Sequence, residues 1–144
     1  MRTKITIIIL LLVLVISIFI LNRNNKDFVV TKKNNDITYI IVNTPESRTL
    51  GLSGRESLPE DTAMLFVFDK PGIYKFWMKD MNFPIDIIWL DENKKIIHIE
   101  ENIAPETYPA SFGPEKDSLY VLEANAGFAS KKGLQVGKVL DLQN

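Results

Sequence analysis

The chain has 144 residues and a formal net charge of −1. It has no cysteine, which excludes disulfides, thiolate catalysis and thiolate metal sites. Residues 1–33 carry six Lys/Arg against one Asp, a net of +5, whereas residues 34–144 carry 11 Lys/Arg against 17 Asp/Glu, a net of −6. Because an acidic domain without a basic patch is repelled by phosphate backbones, nucleic-acid binding is not expected.

The first predicted element is an apolar, uncharged segment, residues 5–21. Its length is at the lower limit for crossing a hydrocarbon core of roughly 30 Å at about 1.5 Å per residue. A cleaved signal peptide has a shorter apolar region and ends in small residues. We therefore interpret residues 5–21 as an uncleaved transmembrane helix, with an atypical cleaved signal as the alternative. A basic tail, residues 1–4, indicates a cytoplasmic start and an exported domain.

Residues 22–35 are polar and Asn-rich, which predicts a linker between the membrane and a domain at residues 36–142. This domain begins with a predicted strand, Ile37 to Val42, rich in β-branched residues. Thr44 and Pro45 then predict the N-cap and first turn of a short helix that ends near Gly54.

The following segments predict a mainly β domain. In Ile73 to Lys79 the alternation places Lys75, Trp77 and Lys79 on one side of a strand. Residues 101–118 contain three of the seven prolines and predict a long surface loop, and Asn125 is a candidate cap for a second short helix. The other predicted strands are Ala63–Phe68, Ile85–Leu90, Lys95–Glu100, Leu119–Leu122 and Val136–Leu142. Seven or so short strands and two short helices are typical of an open sheet or a barrel.

Three separated blocks, "SRTLGLSGRESLPEDTAMLFVF", "FWMKDMNFPIDIIWLDENKKI" and "YVLEANAGFASKKGLQVGKVLDL", resemble the uncharacterised family DUF192, also called UPF0127. The resemblance extends over roughly residues 36–142. It implies a compact β-barrel-like fold with short helices, and it brings no established reaction.

Catalytic residues are not assigned, because the only histidine, His98, lies in a predicted strand and no Gly-x-Ser-x-Gly motif is present. In an alternative hypothesis, the protein is an envelope hydrolase that acts on a polar or carbohydrate-like substrate, with Asp86 and Glu123 as its acid and base. Two structural roles compete with this interpretation: an ion pair between Asp86 and Lys79 across a hairpin, and acceptance by Glu123 of hydrogen bonds from the helix near Asn125.

The sequence favours a non-enzymatic binding or accessory module of the cell envelope that recognises a small polar ligand, with no cofactor and no metal site. An aromatic face with flanking polar groups suits a sugar or a similar molecule. The candidate ligand-binding residues are Arg48, Trp77, Lys79, Asp86, Glu123 and Asn125. A third hypothesis is a domain without a pocket that docks on an envelope protein through an apolar patch near Tyr108 and Phe112.

Overall fold

The computed structural model describes residues 31–34 and 37–142, with side chains from residue 37 onward. Strands dominate this part of the chain, and two short helices interrupt them. The elements are β1 Thr31–Asn34, β2 Ile37–Val42, α1 Pro45–Leu50, β3 Thr62–Gly72, β4 Phe76–Trp77, β5 Ile85–Leu90, β6 Ile96–Ile103, a 3-10 turn Pro105–Thr107, β7 Ser111–Phe112, β8 Ser118–Asn125 and α2 Phe128–Lys131.

A six-stranded sheet in the order β1-β2-β3-β8-β5-β6 forms the centre of the domain. The strands β2 and β3 are parallel, and every other neighbouring pair is antiparallel. Parallel neighbours cannot be joined by a tight hairpin, so the chain crosses one face of the sheet between them, and α1 lies in this crossover. The short strands β4 and β7 pair with each other in a separate two-stranded sheet.

Apolar side chains cover both faces of the large sheet. We call one the Trp89 face; its buried cluster is Ile40, Val42, Leu52, Leu58, Met64, Phe66, Met78, Ile85, Ile87, Trp89, Ile103 and Val121. We call the other the Leu122 face; its buried cluster is Ile37, Tyr39, Ala63, Leu65, Ile88, Leu90, Ile96, Tyr120, Leu122, Ala124, Phe128, Ala129, Leu134, Leu140 and Leu142. The inner strand β5 is therefore buried on both sides, which explains why five of its six residues are apolar.

The prediction of a mainly β domain with two short helices is confirmed, but the sheet is not closed into a barrel. Within the described residues β1 pairs only with β2, and β6 pairs only with β5. Closure would require these two edge strands to pair with each other. The strands β4 and β7 do not bridge the gap, because they pair with each other.

Several predicted boundaries are also corrected. Residues 136–142 do not form the expected final strand; one bridge between Lys95 and Val139 is their only ladder contact in the described part of the chain. The predicted loop at residues 101–118 begins as the end of β6 and then contains the 3-10 turn and β7. Residues 31–34, inside the range predicted as linker, form β1 against β2.

The predicted transmembrane segment, residues 5–21, lies outside the described residues. Among the residues that are described, no helix is long and apolar enough to cross a membrane.

Candidate functional site

A cleft with a lysine and an exposed tryptophan in its wall lies between α1 and the chain around β4. It has a volume of about 500 Å³. Its lining residues are Pro45, Glu46, Thr49, Leu50, Ser53, Trp77, Lys79 and Asp80. We call it the α1–β4 cleft. It is open to solvent on the Trp89 face of the domain, whose buried cluster includes Leu52 and Met78 next to the lining residues Ser53 and Trp77.

The helical wall of this cleft is fixed by strong local signals. Thr44 Oγ1 accepts a hydrogen bond from the Ser47 backbone N–H at 3.2 Å, and Ser47 Oγ accepts one from the Thr44 N–H at 3.1 Å. This reciprocal capping box, with Pro45 in the first turn, starts the helix. Gly51 ends it at φ +51°, ψ −132°, a conformation that strains any residue with a Cβ. The predicted cap at Thr44 is confirmed, and the helix ends at Leu50, before the predicted stop.

The opposite wall of the cleft is formed by Trp77, Lys79 and Asp80. The segment that leads into it, residues 73–79, has side chains that alternate as predicted. Lys75, Trp77 and Lys79 are exposed, whereas Met78 is buried. Trp77 keeps 54% of its surface exposed, and the Lys79 ammonium lies 5.9 Å from its ring centroid. The rings of Tyr108 and Trp77 pack edge to face, with their centroids 5.8 Å apart. An aromatic ring with this exposure, supported by a second ring and a cation, is a surface for stacking.

Backbone contacts hold the two walls together at one end of the cleft. Ser53 Oγ donates to the Lys79 carbonyl at 3.0 Å, and the Gly54 N–H donates to the Asp80 carbonyl at 2.8 Å. The turn after α1 is therefore attached to the chain after β4. This attachment fixes the distance between α1 and the lysine side of the cleft.

Arg48 borders a second cleft of about 330 Å³, which we call the Arg48 cleft; it is lined by Pro45, Arg48, Thr49, Phe66, Phe68, Tyr74, Lys75 and Phe76. Its guanidinium donates to the carbonyls of Asn43 at 2.7 Å and Val67 at 2.9 Å. It also lies 5.2 Å from the Phe68 ring centroid. These contacts make Arg48 chiefly a link between α1 and β3.

Asp86 is fully buried and does not form the predicted ion pair with Lys79. Its Oδ1 accepts hydrogen bonds from the backbone N–H groups of Asn102 at 2.9 Å and Gly127 at 3.2 Å, and its Oδ2 accepts one from Ala129 at 2.9 Å. Asp86 thus performs the role at the start of α2 that the sequence suggested for Glu123. Such N–H donors compensate a buried carboxylate for its lost hydration.

Glu123 is also buried, with 5% of its surface exposed, but its Oε2 has no hydrogen-bond partner among the described residues. Burial raises the pKa of its carboxyl to about 8. On neighbouring strands it lies opposite Met64 and Ile87, both on the Trp89 face. A Cβ added at Gly51 would lie 3.5 Å from Oε2, so this carboxyl lies beneath the end of α1.

The hydrolase hypothesis required Asp86 and Glu123 to face each other, and they do not. In the β5–β8 ladder Asp86 lies opposite Ala124, and Glu123 lies opposite Ile87. Because side chains alternate along a strand, the two carboxyl groups project to opposite faces of the sheet. They cannot act together as an acid and base on one substrate.

Asn125 does not cap α2, because the N-cap residue is Gly127 at φ +83°. Its side chain instead donates to the Leu58 carbonyl at 2.8 Å and accepts from the Leu58 N–H at 3.4 Å. It borders a different cleft of about 320 Å³, beside Glu60 and Lys131. Of the six predicted site residues, only Trp77 and Lys79 line the α1–β4 cleft.

Sequence reasoning missed the helical side of the cleft, namely Glu46, Thr49, Leu50 and Ser53. The signal for a helix was present, but its position over β4 follows from the crossover between the parallel strands β2 and β3.

His98 interacts with a neighbour on its own strand, since its Nε2 lies 3.0 Å from Glu100 Oε1. No group of three or more His, Asp or Glu in residues 37–142 is arranged to hold a metal ion.

Comparison with known proteins identifies the family. The model of the DUF192 family, described as "Uncharacterized ACR", matches residues 28–142, and the chain belongs to this family. The resemblance inferred from the three sequence blocks is therefore confirmed, and the match begins upstream of residue 36. A comparison with curated proteins finds no match.

Two solved structures are similar to this chain. One, from Sinorhizobium meliloti 1021, is described as a candidate transcription regulator; it is 30% identical, with a TM-score of 0.69 over 73% of this chain and 81% of that chain. The other, from Novosphingobium aromaticivorans DSM 12444, is described as a protein of unknown function; it is 25% identical, with a TM-score of 0.66 over 74% of this chain and 79% of that chain.

Proposed function

We propose that this DUF192 member is a membrane-anchored, exported binding module of the cell envelope that recognises a small polar ligand in the α1–β4 cleft and catalyses no reaction. The observation that carries the proposal is Trp77, a tryptophan with 54% of its surface exposed in the wall of a cleft of about 500 Å³. Ligand sites are usually clefts of roughly 300–1,000 Å³. Large exposed apolar surface in such a cleft is typical of a binding site.

The groups around Trp77 suit a ligand that combines a flat face with hydroxyl groups. Lys79 supplies hydrogen-bond donors, and Glu46 and Asp80 supply acceptors. Leu50, 48% exposed on the helical wall, offers an apolar surface opposite the polar groups. A sugar ring stacked on Trp77 would use both kinds of contact.

The alternatives have less support. The acid–base pair of the hydrolase hypothesis is divided between two faces of the sheet. The docking hypothesis expected an apolar patch without a pocket, but Tyr108 packs against Trp77 beside the cleft. A role in transcription, as described for the S. meliloti protein, is disfavoured by the net charge of −6 over residues 34–144.

The proposal is tested by a thermal-shift screen of the full-length chain in mild detergent against sugars, nucleotides and envelope fragments. We expect at least one compound to raise the melting temperature of the wild type, since a ligand that binds only the folded state stabilises it. The Trp77→Ala variant should lose this increment. Ile73→Ala is the matched control, because Ile73 is equally exposed at 54% on the same side of the same segment but does not line the cleft.

Fluorescence gives a second measurement of the same contact. Trp77 is exposed and Trp89 is fully buried, so quenching by iodide reports on Trp77. A ligand bound in the cleft should protect Trp77 from quenching by iodide. If no compound shifts the melting temperature, or if Trp77→Ala and Ile73→Ala respond alike, the cleft is not the binding site.

The location of the protein is a separate part of the proposal. It rests on the uncharged apolar segment at residues 5–21 and the basic residues before it. We expect the full chain to sediment with membranes and to resist extraction by carbonate. Protease added outside intact spheroplasts should cleave the domain, and cleavage only after lysis would reverse the proposed orientation.

A further inference from the structure

The α1–β4 cleft and the Arg48 cleft adjoin along α1, and we call the two together the groove. Both are lined by Pro45 and Thr49 on the helical side. Their other wall is a single segment: residues 74–76 border the Arg48 cleft, and Trp77, Lys79 and Asp80 border the α1–β4 cleft. A ligand longer than one ring could therefore extend along residues 74–80 from one cleft into the other.

Cations flank the exposed tryptophan on this wall. Lys75, Trp77 and Lys79 alternate with less exposed residues, so they share one side of the segment. Alternate residues of an extended chain are about 6.6 Å apart, comparable to the length of one sugar ring. Among the described residues neither lysine has a carboxylate within 4.0 Å. Both ammonium groups are therefore available to a ligand.

The charges differ between the two ends of the groove. The α1–β4 cleft has two carboxylates, Glu46 and Asp80, besides Lys79. The Arg48 cleft has only cationic side chains among its charged residues, Arg48 and Lys75. Arg48 is already committed to two carbonyls and to the Asp69 carboxylate, which lies 3.6 Å from its guanidinium. Lys75 is thus the group best placed to meet an anion, while the carboxylates of the other cleft accept hydrogen bonds from hydroxyl groups.

We propose that the ligand is an acidic oligosaccharide, with one ring stacked on Trp77 and the carboxylate or other anionic group of a neighbouring ring held by Lys75. This inference rests on the proposed function and specifies its ligand class. The hydroxyl groups of the stacked ring lie toward Glu46 and Asp80. A neutral oligosaccharide of the same linkage keeps the stacking contact and loses the contact with Lys75.

The test is calorimetric titration of the full-length chain in detergent with linear trigalacturonate and with the neutral galactotriose of the same linkage. We expect trigalacturonate to bind more tightly and its affinity to fall as salt is raised from about 0.05 to about 0.5 M, since salt screens exposed charge pairs. The Lys75→Gln variant should weaken trigalacturonate binding about fivefold and leave galactotriose binding unchanged, which matches one partly exposed ionic contact.

Lys95→Gln is the matched control, because Lys95 is an exposed lysine near the β6 edge and lines neither cleft. Equal, salt-independent affinities for the two trisaccharides would overturn the acidic specificity and leave the proposed function standing. An equal loss in the Lys75→Gln and Lys95→Gln variants would also overturn it, because the charge effect would then be nonspecific. If neither trisaccharide binds while another compound gives a Trp77-dependent thermal shift, the inference fails alone. If no compound binds, both proposals fail.

Discussion

The substitution Glu123→Gln should stabilise the protein increasingly as the pH rises from about 5 to about 8. Glu123 is buried on the Trp89 face opposite Met64 and Ile87, and its Oε2 has no partner among the described residues. Burial raises the pKa of this carboxyl from 4.5 to about 8, with no charged neighbour contributing to the rise. Glutamine has nearly the same shape and never ionises.

The magnitude follows from proton linkage. Between pH 4.5 and about 8 the folded protein keeps the Glu123 proton that the unfolded chain has released. The unfolded state then binds fewer protons, so the free energy of unfolding falls as pH rises, by about 1.4 kcal/mol per pH unit. The loss is absent below pH 4.5 and reaches at most about 5 kcal/mol near pH 8. At pH 7 the Glu123→Gln variant should gain about 3 kcal/mol relative to its difference at low pH.

Urea unfolding followed by the fluorescence of buried Trp89 measures this difference, at pH values of about 5, 6, 7 and 8. The quantity of interest is the free energy of unfolding of the variant minus that of the wild type at each pH. Glu92→Gln is the control, because Glu92 is exposed and its carboxyl is not subject to the burial that acts on Glu123. A constant difference for Glu123→Gln across the series would refute the argument that burial keeps this carboxyl protonated.

Three further substitutions test the local structure by the same unfolding assay. Asp86→Asn should lower the free energy of unfolding by about 2–4 kcal/mol, because an amide cannot accept all three backbone hydrogen bonds; a loss below about 0.5 kcal/mol would contradict their importance. Gly51→Ala should cost about 1–3 kcal/mol and more than Gly54→Ala. Both glycines have positive φ, but only Gly51 has atoms within 4 Å of an added Cβ. Thr44→Ala should cost about 1 kcal/mol and speed amide exchange in α1, since it removes the capping box.

The elements that the sequence predicted well are those with local signals. The strand Ile85–Leu90 and the strand Ile37–Val42 have their predicted bounds, because turn residues follow β-branched runs. The predicted strand Val136–Leu142 is wrong, because the apolar pattern that suggested it has another cause. Its apolar residues are spaced as in a strand, but Leu140 and Leu142 are buried through loop packing and Val139 makes a single bridge. Spacing alone does not distinguish these cases.

The candidate site was predictable only on its strand side. Alternation along residues 73–79 was sufficient to place Trp77 and Lys79 together on an exposed surface. The helical side depends on which strands are parallel, and this is a property of the whole sheet. The helix-start role predicted for Glu123 belongs to Asp86. The sequence did not show this because both residues lie in strands buried on both faces, where composition does not indicate which way a side chain projects.

The opposite placement of these carboxyl groups separates stability from binding in a testable way. Asp86 connects β5 to residues 102, 127 and 129 on the face opposite the α1–β4 cleft. Asp86→Asn should therefore lower the melting temperature while leaving the ligand-induced increment intact. Trp77→Ala should do the reverse, because Trp77 is exposed and contributes little to the core. If Asp86→Asn abolished ligand binding in protein that remains folded, the two faces would be coupled and the assignment of the site to one face would fail.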